Sequence, residues 1–256
     1  MRDDRRADPV TLAEAVRAAA DYRPDPHQAP VVLTLPFRGT WQARNSPARR
    51  VPSHGTHFLG ETFAIDFVAV RGRRTATKSD WRTLVAAEPA DRFFGFGRSI
   101  LAPTQGRVVA VHDGELDHPA RRSPVTLLPY ALTQASRLRR GLDAVTGNHV
   151  ILSLRDGGPY VALVHLRAGS LRVRAGDAVV VGQELAECGN SGNSTQPHVH
   201  VQVMDSLDLL TARGIPIAFG NYRAWGRRAR RPRQVSEGIP RQGEIVEPVP
   251  PGPAGT

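Results

Sequence analysis

The stretch Cys188-Gly189-Asn190-Ser191-Gly192-Asn193-Ser194-Thr195-Gln196-Pro197-His198-Val199-His200-Val201-Gln202-Val203 is a polar, glycine-bearing loop that runs into an apolar strand. Strand side chains alternate between faces, so His198, His200 and Gln202 project to one side and Val199, Val201 and Val203 to the other. Two imidazoles from one strand therefore share a space, with a valine stripe behind them to pack a core. Imidazole is a preferred zinc ligand, and a catalytic zinc site takes three protein ligands and leaves one position for water. A further histidine and a carboxylate would complete such a site. Without them, His-x-His reads as two solvated histidines on a surface strand.

The carboxylate is found upstream. In Phe63-Ala64-Ile65-Asp66-Phe67-Val68-Ala69-Val70, Asp66 is flanked on both sides by apolar residues. Burying an ionised carboxylate in such a strand is costly unless it is paired or coordinates a metal, so Asp66 calls for a cation. Two histidines, His54 and His57, lie in the loop that precedes this strand.

Around these residues the chain reads as mainly β. Residues 11–22 carry a capping box, Thr11 with Glu14, and form a short alanine-rich helix. Prolines 24, 26 and 30 then break the chain before a strand at 31–37, and residues 39–50 read as a polar loop. Residues 99–114 read as a hairpin of two short strands around a Pro/Gly turn, and 147–154 with 160–166 as a second hairpin across Arg155-Asp156-Gly157-Gly158-Pro159. Two more short strands lie within 172–187, and a closing strand is expected near Phe219. Turn signals at this density predict a sandwich or barrel. The expected organisation is an appendage over 1–30, one β domain over 31–222 with its core at 51–205 and an arginine-rich, partly helical insertion at 115–146, and a flexible basic tail over 223–256.

Composition bounds the function. The 256 residues are 40% hydrophobic, with 24 glycines and 21 prolines, and the net charge of +10 comes from arginine, Lys78 being the only lysine. Part of that charge is compositional bias; the rest favours an anionic partner such as a cell wall. The run Arg227-Arg228-Ala229-Arg230-Arg231 lacks interleaved aromatics, so no nucleic-acid partner is expected. A single cysteine, Cys188, permits no intramolecular disulfide. No apolar run of signal-peptide length follows the charged N-terminus, and no segment approaches the roughly 20 apolar residues that cross a bilayer.

The order of motifs resembles the lysostaphin/LytM-type zinc metallopeptidases, which cut peptide cross-bridges of bacterial cell walls. The motifs are Ile100-Leu101-Ala102-Pro103-Thr104-Gln105-Gly106-Arg107-Val108-Val109, then His165-Leu166, Gly176-Asp177-Ala178-Val179 with Gly182-Gln183, Gly189-Asn190-Ser191-Gly192 and Pro197-His198-Val199-His200. The resemblance covers about residues 51 to 205. It implies an antiparallel β fold, the duplicated hybrid motif, with a groove across one sheet, one zinc ion per chain, peptidoglycan peptides as substrate and an extracytoplasmic location. It also implies Asp66 and His200 as zinc ligands and His165 and His198 as the catalytic histidine pair. The usual pattern places the remaining ligand, a histidine, at the position of Thr62. His54, in the compact turn Ser53-His54-Gly55-Thr56, is the preferred substitute and His57 the other candidate. His27, His112, His118 and His149 are read as structural or surface residues. The function implied is a zinc-dependent endopeptidase. The alternatives are a non-catalytic wall- or partner-binding protein of the same fold, or a cytoplasmic hybrid-motif carrier or transferase in which paired histidines accept a group.

Overall fold

A computed structural model describes residues 10–77, 86–123, 125 and 141–249. A sheet of eleven strands dominates it. In chain order the strands are β1 (Val31–Leu33), β2 (Trp41–Arg44), β3 (Ile65–Ala69), β4 (Ser99–Leu101), β5 (Gly106–His112), β6 (Asn148–Ser153), β7 (Tyr160–Leu166), β8 (Ala178–Val179), β9 (Glu184–Glu187), β10 (Val199–Met204), β11 (Ile217–Trp225), β12 (Arg233–Gly238) and β13 (Ile245–Pro248). The large sheet runs β1-β11-β13-β2-β3-β10-β7-β6-β5-β8, with β12 on the other edge of β11, and β4 and β9 form a separate ribbon. All pairings are antiparallel except β1 with β11.

The central strands β3, β10, β7 and β6 are buried on both faces, and alternation gives each face a different task. Ile65, Phe67 and Ala69 of β3, Val199, Val201 and Val203 of β10, Val161 and Leu163 of β7, and Val150 and Leu152 of β6 all enter the main core. Ile100 of β4 and Leu185 and Ala186 of β9 join the same cluster, so the ribbon covers this face as a second layer. The opposite face carries Asp66, His200 and Gln202, and beside them a smaller apolar cluster of Ile151, Ala162, Val164, Met204 and Ala212.

The short N-terminal helix α1 (Leu12–Asp21) has the expected capping box between Thr11 and Glu14. The hairpin of β6 and β7 is also as the turn sequence predicts. Three expectations need correction. Strands β4 and β5 do not pair with each other: β4 joins β9, and β5 lies between β6 and β8. The stretch 39–50 is not all loop, because Trp41 and Ala43 are core residues of β2. Its apolar-polar alternation lasts only four residues between turn signals. Residues 233–248, expected to be flexible, form β12 and β13, because the long strand β11 offers hydrogen-bonding edges on both sides and β13 also closes onto β2. Val235, Ile245 and Val246 are buried there despite the basic, Pro/Gly-rich surroundings. The helix expected near 130–140 lies outside the described residues. No described helix is long and apolar enough to cross a membrane.

Removing residues 226–256 should therefore destabilise the protein by several kcal/mol, since each of these buried apolar side chains contributes about 1.5–3 kcal/mol. Urea denaturation would register this as a lower midpoint, whereas a loose tail would leave the midpoint unchanged.

Candidate metal centre and histidine groove

Asp66 lies in the middle of the sheet, only 6% exposed, and is surrounded by imidazoles. It faces His200 directly across the β3–β10 ladder. His200 Nδ1 is 2.9 Å from Asp66 Oδ1, and His54 Nε2 is 3.2 Å from both carboxylate oxygens. His198 Nε2 stands 3.6 Å from Oδ1. One donor atom from each of His54, Asp66 and His200 falls within 4.8 Å of the others, which is the spacing of a group able to hold a metal ion. Burial works against ionisation of Asp66. The nearby His54 and His198 imidazoles and the hydrogen bonds from His200 and His54 nonetheless hold its carboxyl well below the usual range. Burial likewise opposes the charged form of His200, but its hydrogen bond to Asp66 and the Asp66 charge push it up to about 9.

The loop before β3 delivers His54, not His57. Ser53 closes the loop, its N–H donating to the Thr62 carbonyl at 3.0 Å and its hydroxyl to the Glu61 carbonyl at 3.1 Å. With its proton so engaged, Ser53 Oγ accepts from His54 Nδ1 at 3.0 Å, which turns Nε2 toward Asp66. His57 is turned away. Its Nδ1 meets Thr62 Oγ1 at 3.0 Å, and its ring packs edge-on against Tyr22, just after α1, at 5.3 Å. Thr62 is itself buried, and the loop turns His54 rather than His57 toward Asp66.

Gln202 connects this loop to the histidine strand. Its amide Nε2 donates to the Leu59 carbonyl at 2.9 Å, so its Oε1 must accept from His200 Nε2, also at 2.9 Å. That bond fixes Nδ1 as the His200 atom turned to Asp66. The sequence placed Gln202 on the correct face but gave no sign of this role. The strained turn it grips has φ 58° at Leu59 and 76° at Gly60, and a Cβ on Gly60 would crowd both Met204 and Gln202.

His165 reaches the groove through a bulge. Alternation alone would send it to the same face as Val161 and Leu163, into the core. The β6–β7 register instead jumps from Asn148 opposite Leu166 to His149 opposite Val164, and His165 takes a φ of 65°. An extra residue of this kind re-aims a side chain, a device common beside functional sites. Its ring lies 4.7 Å from that of His198 and 6.0 Å from that of His200. His165 Nδ1 donates to the Ser191 carbonyl at 2.9 Å, and His198 Nδ1 to the Gln196 carbonyl at 2.8 Å. Burial is the main cause that lowers both histidines, strongly so for His165, and keeps them neutral. The loop supplying these carbonyls is itself packed tightly, with Asn190, Ser191 and Ser194 fully buried. Gly192, at φ 66°, touches the Gly147 backbone, where a Cβ would collide.

All four histidines open onto one cavity of about 280 Å³, whose walls include Leu59, Val145, Ile151, Val164 and Leu209. His149, assigned no role from the sequence, also lines it, and is only 7% exposed. Asn45, placed by the sequence in a polar loop, sits at its edge and donates to Asp66 Oδ2 at 2.7 Å. His118 accepts no such place; it lies on the loop, within 2.9 Å of the Gly192 carbonyl.

Residues 130–211 match the model of Peptidase family M23. The match supports the family read from the motifs. This M23-like segment spans β6 to β10 and contains His165, His198 and His200, while His54 and Asp66 lie before it. Among solved structures, the chain is similar to the catalytic domain of lysostaphin from Staphylococcus simulans, with 19% identity over 60% of this chain and 77% of that one and a TM-score of 0.34. It is also similar to a mutant catalytic domain of the prophage-encoded M23 protein EnpA from Enterococcus faecalis (20% identity, 58% and 85% covered, TM-score 0.32). A third likeness is to a zinc containing peptidase from Vibrio cholerae (17% identity, TM-score 0.34), covering 72% of this chain and 39% of that one.

Replacing Gln202 by alanine leaves the buried His200 Nε2 and the Leu59 carbonyl without partners. The metal-free variant should lose about 1–3 kcal/mol in chemical denaturation, the cost of orphaning a buried polar group, whereas a surface glutamine would lose none.

Proposed function

We propose that the chain is a zinc-dependent endopeptidase acting on peptidoglycan peptides. The observation that carries this reading is the buried Asp66 carboxylate between His54 and His200, with His165 and His198 on the same groove. Two imidazoles and one carboxylate are the donor set of hydrolytic zinc sites, and here each imidazole has its far nitrogen engaged by Ser53 or Gln202, as ligating histidines require. His54 Nε2, Asp66 and His200 Nδ1 would hold the ion. When bound, zinc supplies a Lewis acid that polarises a carbonyl and lowers the pKa of water to about 7.

The protein's own residues then do three things. The groove takes an extended peptide between the α2 turn (Asp143–Thr146) and the 58–63 turn, and its apolar walls exclude bulk water. His165 and His198, fixed as Nδ1–H tautomers by backbone carbonyls, each keep a basic Nε2. A neutral Nε2 takes the proton of the attacking water as the water oxygen bonds to the scissile carbon. The same proton is returned to the amine nitrogen as the C–N bond breaks. No Glu-bearing metal-binding helix is needed for this transfer. The arginine-derived positive charge suits an anionic wall.

Metal analysis of the purified protein should find about one zinc per chain, lost with His54→Ala or His200→Ala and kept with His57→Ala. Digestion of purified peptidoglycan should release new amine termini. His165→Ala or His198→Ala should slow that release by about 10²–10⁴-fold while the zinc is retained. A wild-type, zinc-loaded protein that binds peptidoglycan and releases no amine would sink the enzymatic reading.

A further inference from the structure

We infer that Asn45 is a positioning residue of the proposed metal centre, its side-chain amide holding one oxygen of Asp66 so that the other is the one offered to the ion. The inference rests on the reading of His54, Asp66 and His200 as the metal-holding set.

Asn45 follows the last residue of β2, Arg44, which pairs with Asp66 across the β2–β3 ladder. It takes a φ of 45°, a left-handed conformation that asparagine tolerates better than most residues, and this turns its side chain onto the carboxylate. The resulting contact, Nδ2 to Oδ2 at 2.7 Å, is the shortest that Asp66 makes with any of the side chains around it. Because a carboxylate only accepts, the amide must present its NH₂. Oδ2 is thus engaged from the β2 side, while Oδ1 lies 2.9 Å from His200 Nδ1 and 3.6 Å from His198 Nε2. His54 Nε2 is equidistant from both oxygens and does not choose between them. A carboxylate binding through both oxygens would fill the position that a hydrolytic site leaves for water. The Asn45 amide disfavours that mode and keeps the position free.

Two substitutions separate this role from that of a simple turn residue. Asn45→Gly keeps the left-handed backbone accessible and removes the amide. Asn45→Asp keeps the size and sets a carboxylate against Asp66 in place of a donor. Zinc affinity is measured by competition with a chromophoric chelator, and cobalt(II) is loaded separately to read coordination number from its visible absorption. Both variants should bind zinc about 10–100-fold more weakly than wild type, the usual cost of losing a partner of a metal ligand. Cobalt-loaded Asn45→Gly should absorb more weakly, as expected when a second carboxylate oxygen joins the ion. A zinc affinity within twofold of wild type in either folded variant overturns the inference and leaves the metal site standing. A wild-type chain that takes up no zinc overturns the underlying reading, and the inference with it.

Discussion

A carboxylate buried in the floor of a sheet needs positive partners around it, and that requirement organises this protein. Asp66 sits on the strand most central to the fold, where its neighbours Ile65 and Phe67 are fully buried in the main core. Left unpaired, an ionised group there would carry a desolvation penalty of several kcal/mol. The structure meets it from three directions. His200 comes from the adjacent strand, His54 from the preceding loop, and Asn45 from the end of β2. The sheet's two faces are thereby divided between a valine-rich core and a polar groove, so the same alternation that stabilises the fold also aims the chemistry.

The histidines are held by several local devices. His200 is set by strand register and by Gln202. His54 rides a loop closed by Ser53, and His165 is thrown outward by a bulge with a left-handed backbone. His198 is fixed by the carbonyl of Gln196 in a packed loop. Such redundancy of anchoring keeps imidazole tautomers defined, which matters because a ligand nitrogen and a proton-carrying nitrogen require opposite protonation. Gln202 has a second consequence: through the Leu59 carbonyl it ties the loop that carries His54 to the strand that carries His200.

Much of this could be read from the sequence, for physical reasons that differ by residue. The period of two makes His198, His200 and Gln202 neighbours, and an aspartate among apolar residues marks Asp66. Alternation failed at His165, because a bulge is a tertiary feature of the β6–β7 register with no sequence mark of its own. The local motif resemblance placed His165 where periodicity could not. The sequence favoured His54 over His57 only through its compact turn; in the structure His54 faces Asp66 while His57 packs on Tyr22. Asn45 and the strand β2 were hidden in a short segment with turn-like composition. Strands β12 and β13 were hidden likewise, because their order comes from the edges of β11 rather than from their own propensity.

The most direct test of this account is a crystal structure of the zinc-loaded protein with anomalous scattering measured at the zinc edge. The account predicts one strong peak in the groove, bound by His54 Nε2, one oxygen of Asp66 and His200 Nδ1. A peak coordinated by His57, or a zinc-loaded crystal with no peak beside Asp66, would contradict it.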